Sequence, residues 1–117
     1  MADSGLLITW GDVYPGRDEQ AVRLWTDANA YFGSLLEADQ ITRFEPFVAA
    51  SSAGLRGFMI IGGTPEQIGA FMVDDELARV IVRFRMCCKD VGVSGLFFGE
   101  TLAHQMELWE HEVSALA

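Results

Sequence analysis

Three short stretches carry large apolar side chains at both alternating positions. Leu6, Ile8 and Trp10 share one parity with Leu7 on the other; Phe58 and Ile60 oppose Met59 and Ile61; Phe97 opposes Leu96 and Phe98. Successive side chains of a strand point to opposite faces, so this pattern calls for a sheet buried on both sides. A sheet with one wet face would alternate apolar and polar residues instead. Whatever else the chain forms, it must supply two covers for one sheet.

The element order says how much cover one chain provides. Leu6–Trp10, held between Gly5 and Gly11, reads as a first strand. From Arg17 to Ala38, Ala21, Leu24, Trp25, Ala28, Tyr31, Phe32, Leu35 and Leu36 fall on one face of an amphipathic helix. Ile41–Ala49 reads as a second strand, and Pro46 inside it predicts an edge position. After a turn at Ser51–Gly54, Gly57–Gly62 forms a third strand, completing a hairpin. Thr64-Pro65-Glu66-Gln67 is a helix start, with Thr64 as N-cap and Gln67 reaching back in a capping box. That helix breaks near Val73-Asp74, and its second piece turns Leu77, Val80, Ile81, Phe84, Cys87 and Cys88 to one face. Val91–Phe98 is the fourth strand. Glu100–Leu116 is a last helix with Leu102, Met106, Trp109, Val113 and Leu116 in a stripe, expected to be its packing surface.

This order is the split βαβ pattern of a single α+β domain over residues 1–117, a ferredoxin-like βαββαβ sandwich with an added C-terminal helix. The pattern, the two-piece second helix and the added helix resemble the dimeric α/β-barrel superfamily. That group includes small cofactor-free monooxygenases and dismutase-like haem enzymes. The resemblance implies a homodimer whose sheet faces meet around a cavity, and it carries no site residue with it. Two helices cover one face of a four-stranded sheet, so the other is covered by the last helix or by a second copy.

Composition narrows the function classes. Half of the 117 residues are hydrophobic, and 17 acidic side chains against 8 basic ones leave a net charge of −9. Such a surface does not suit the phosphate backbone of nucleic acid, nor an anionic membrane. No apolar run reaches membrane-spanning length. No basic segment leads into an apolar one at the start of the chain, so no secretory leader is expected. The two adjacent cysteines, Cys87 and Cys88, suit a reducing, cytoplasmic compartment.

His104, Glu107 and His111 share a helical face opposite the apolar stripe, where solvent is the expected neighbour, so no metal is expected there. Cys87 and Cys88 fall on an apolar face and read as core. Gly62-Gly63-Thr64 precedes a helix N-terminus but lacks the lysine of a phosphate loop. Arg79, Arg83 and Arg85 form one basic cluster that reads first as a solvated face, paired in part with Asp75 and Glu76; Val82 and Met86, which share the face with Arg79 and Arg83, offer a partner contact as the alternative. More telling are polar residues that interrupt apolar strands. Thr9, Arg43, Arg56 and Ser94, with Asp12 and Tyr14 in the loop after the first strand, are the expected ligand-binding groups of a cavity. Glu45 interrupts the second strand in the same way. No motif calls for a cofactor or names a reaction. The expected function is therefore a homodimeric small-molecule-binding domain. The alternatives are a cofactor-free monooxygenase- or isomerase-like enzyme acting on an aromatic or polyketide-like compound, and an interaction protein without a ligand.

Overall fold

A computed structural model describes residues 4–49 and 55–116 of the chain. The expected turn at Ser51–Gly54 lies outside the described residues. The elements follow the order β1 (Ser4–Trp10), α1 (Asp18–Glu37), β2 (Arg43–Val48), β3 (Gly57–Gly63), α2 (Pro65–Met72), α3 (Asp75–Cys87), β4 (Gly92–Phe97) and α4 (Gly99–Leu116). The strands form one antiparallel sheet in the order β2-β3-β1-β4. Pro46 lies in an edge strand, where its missing N–H costs the ladder little.

Local chemistry sets the helix boundaries. Thr64 Oγ1 accepts from the Gln67 N–H at 3.1 Å, and the Gln67 side chain accepts from the Thr64 N–H at 2.9 Å. This reciprocal pair starts α2, with Pro65 at the first helical position. Asp74 ends the pause after α2 by accepting from the Glu76 N–H at 2.9 Å, capping α3.

The core lies between the sheet and helices α1, α2 and α3. Leu6, Ile8, Met59 and Ile61 from the central strands meet Phe32 and Ala28 of α1, Ile68 and Phe71 of α2, and Leu77, Val80 and Phe84 of α3. Trp10 closes one end against Phe84, with ring centroids 5.0 Å apart, and against Trp25 at 6.0 Å. Cys87 and Cys88 are both buried. Burial pushes the Cys88 thiol upward, and the neighbouring Cys87 adds to the shift.

The last helix departs from expectation. Its stripe does not pack on its own chain: α4 has no buried residue, and Trp109 is 64% exposed. Gly99 has φ +47°, a conformation that redirects the chain as it leaves β4. The α4 helix also makes no substantial contact with any other element. The molecule extends 53 Å along its longest axis, with a radius of gyration of 16.3 Å. A compact domain of this length has a radius of about 13 Å. No helix among the described residues is long and apolar enough to cross a membrane.

Candidate functional site

With α1, α2 and α3 on one side and α4 standing off, the other sheet face carries no helix of its own chain. Register fixes what lies on it. Three rows cross the sheet in the order β2, β3, β1, β4: Phe47–Phe58–Thr9–Gly92, Glu45–Ile60–Leu7–Ser94 and Arg43–Gly62–Gly5–Leu96. The middle of the face is therefore aliphatic and aromatic, and the polar groups sit at its margin.

Each corner has its own chemistry. Phe47 and Phe58 stack with centroids 4.7 Å apart. At the opposite end, Gly5 and Gly62 leave a gap that Phe98 fills after the chain leaves β4. A Cβ on Gly5 would stand 2.8 Å from Phe98 Cζ and 2.4 Å from the Ile61 carbonyl oxygen, so only glycine fits. This is an aromatic ring occupying the space that paired glycines leave on a sheet. Arg43 lies over the same ring, its guanidinium carbon 5.1 Å from the centroid. Arg43 Nε also donates to Glu45 on the same strand. That hydrogen bond holds the Glu45 carboxyl below the usual carboxylate range and raises the guanidinium of Arg43. The Thr9 hydroxyl lies over Gly92, where an added Cβ would come within 2.8 Å of it.

Three of the six expected ligand-binding residues thus share one face: Thr9 at one end, Ser94 on the β4 edge and Arg43 at the far corner of the β2 edge. The other three do not join them there. Asp12 and Arg56 form an ion pair beyond the Thr9 end, and the Arg56 N–H donates to the Trp10 carbonyl at 2.8 Å, so this pair clasps the loops flanking β1 and β3. Tyr14 is tied elsewhere: its N–H donates to the Cys87 carbonyl at 2.8 Å, at the end of α3. Sequence reasoning selected polar residues for the site and left out Leu7, Phe58, Ile60 and Leu96, which make the floor, and Phe98, which lies over one end of it. The facing glycines of β1 and β3 were the available signal for Phe98.

The remaining candidates resolve more simply. His104, Glu107 and His111 are exposed on α4. Among the described residues, no three His, Cys, Asp or Glu side chains are placed to hold a metal. The amides of Thr64 and Gln67 are engaged in the capping box. Arg79 pairs with Glu76 at 3.5 Å on the surface of α3. On the helical side, a groove of about 240 Å³ between α1 and α3 is lined by Arg17, Arg23, Leu24, Arg83, Met86 and Cys87.

Sheet order, antiparallel pairing and the two crossover helices place the chain in the ferredoxin-like class of α+β folds. The chain matches no protein-family model, and no curated protein sequence matches it. Solved structures do. A conserved protein from Methanosarcina mazei Go1 aligns with TM-score 0.61 and 8% identity, over 84% of this chain and 95% of that one. A dimeric protein of unknown function and ferredoxin-like fold from Bacteroides fragilis NCTC 9343 aligns with TM-score 0.59 and 7% identity, over 81% of this chain and 96% of that one. At such identity the likeness is one of fold.

Proposed function

We propose that the chain is a homodimeric small-molecule-binding domain whose open sheet faces meet around the ligand. The observation that carries this reading is the uncovered face itself. Leu7, Phe58, Ile60 and Leu96 form an apolar floor, ringed by Thr9, Ser94, Arg43 and Glu45, with no helix of the same chain above it. An apolar surface with a few polar groups at its rim is the usual composition of a ligand pocket once it is enclosed. The aromatic groups at two corners favour a flat, largely apolar molecule, and Arg43 suits a ligand with a carboxylate or phenolate. The dimeric neighbour of the same fold supports the assembly half of the reading.

Sedimentation velocity combined with native mass spectrometry tests both halves. The expected result is a species of twice 12.9 kDa at micromolar concentration that retains a small-molecule adduct. Ile60→Asp, which puts a charge in the middle of the floor, should abolish the adduct and the dimer together. A monodisperse monomer overturns the reading, and a stable dimer that never retains or takes up an apolar probe reduces it to an interaction module.

A further inference from the structure

The open face and the stripe of α4 are two uncovered apolar surfaces that join at Phe98. That ring lies on the sheet over Gly5 and Gly62, and four residues later the Leu102 N–H donates to the Phe98 carbonyl at 2.9 Å, inside α4. From this anchor the helix carries Leu102, Met106, Trp109 and Val113 outward along one side, all between 40% and 64% exposed. A helix in a protein draws most of its stability from packing its apolar face, so a stripe of this kind needs a cover.

Charge says which kind of cover. The chain's eight Lys and Arg residues all lie between Arg17 and Lys89, while α4 holds Glu100, Glu107, Glu110 and Glu112 with no Lys or Arg. Turned at 100° per residue, Glu110 and Glu112 fall on either flank of the stripe. Pairing two α4 helices along their stripes would bring these carboxylates together with no cation to separate them. The sheet face instead offers Arg43 at its margin, with Arg56 just beyond its Thr9 end. Each is about half exposed, and each has donors beyond its single carboxylate partner.

Resting on the dimeric reading above, we infer that α4 is an exchanged arm: each copy lays its stripe along part of the other's open sheet face, so that the two faces enclose the arms together with the ligand. The binding site is then composite. Its floor comes from one chain, and one wall comes from the partner's Met106 and Trp109. The ligand class follows: a molecule small enough to share the face with a helix, held between Phe58 and the partner's Trp109.

A photoreactive benzoylphenylalanine in place of Trp109 tests this in the full chain, using dimers mixed from normal and heavy-isotope-labelled protein. The expected cross-link is between chains, from position 109 to β1, β3 or β4. A cross-link to the partner's α4 overturns the inference in favour of a helix pair, and a link within one chain overturns it in favour of a folded-back arm. Independently, Met106→Glu with Trp109→Glu should weaken the dimer by roughly thirty-fold or more, the effect of losing a hot-spot residue. Both positions are exposed within one chain, so circular dichroism should show the body intact. A double variant that dimerises as well as the parent sinks the arm while leaving the sheet-to-sheet dimer standing. A parent that is monomeric sinks both.

Discussion

Tyr31 shows how one side chain reports on the packing around it. Its hydroxyl lies 3.5 Å from Asp74 Oδ2, and burial, reinforced by the charges of Asp74 and Glu76, pushes the phenol up to about 12. The neutral form is thus favoured by folding. The resulting stabilisation is fully present below the ordinary tyrosine value of about 10 and is lost as pH rises through about 12. Ultraviolet titration should show one of the two tyrosines ionising near that upper value. Asp74→Asn, which keeps the cap on α3, should bring it only part of the way down, because burial is the larger cause. A tyrosine titration with no high component contradicts this packing. Gly5 makes a second residue-scale case. Alanine there presses on the Ile61 carbonyl and on Phe98, so Gly5→Ala should cost about 1–3 kcal/mol in chemical denaturation. A neutral effect would contradict the close approach of both the Ile61 carbonyl and Phe98 to Gly5. The thiol of Cys88 adds a kinetic readout. Both cysteines should resist alkylation in the native protein and react quickly in denaturant.

The elements divide into those set by their own sequence and those set by something distant. The start of α2 belongs to the first kind: its two capping bonds lie between Thr64 and Gln67, and Thr64→Ala should lower stability by about 1 kcal/mol in thermal unfolding. The same locality made α1, the break at Asp74 and the edge position of β2 readable from periodicity, caps and Pro46. The ferredoxin-like order followed because strand and helix signals alternate along the chain. Thr9, Arg43 and Ser94 were legible for a related reason, as polar interruptions of apolar strands. What escaped is non-local. The Asp12–Arg56 ion pair joins residues 44 apart, and no spacing rule connects them. The seat of Phe98 depends on two glycines from separate strands meeting across the register. The direction of α4 depends on the backbone of Gly99, while its stripe, a sound helix signal, says only that a cover exists. Trp109→Ala draws the distinction out. At dilutions where the chain is monomeric it should cost about 0.5 kcal/mol or less, as for a surface position. Above the dimerisation threshold the loss should grow to about 2 kcal/mol or more. A loss independent of concentration would place the ring against its own chain.

For the molecule as a whole, the absence of any buried residue in α4 separates two events in time. Everything the core requires lies between β1 and β4, so the body can reach its final packing as a first-order process within a single chain. Docking of the arm is second-order, because it waits for a collision. Refolding from denaturant should accordingly show an early phase whose rate ignores protein concentration, followed by one that accelerates with it. A single phase that scales with concentration from the start would mean that body and arm fold together. The order of the chain gives the same separation a direction during synthesis. The sheet is complete once Phe98 has left the ribosome, and the arm emerges after it. The newly made body therefore presents its bare sheet face before its own arm has met a partner, and an arm from a copy finished earlier can shield that face in the interval.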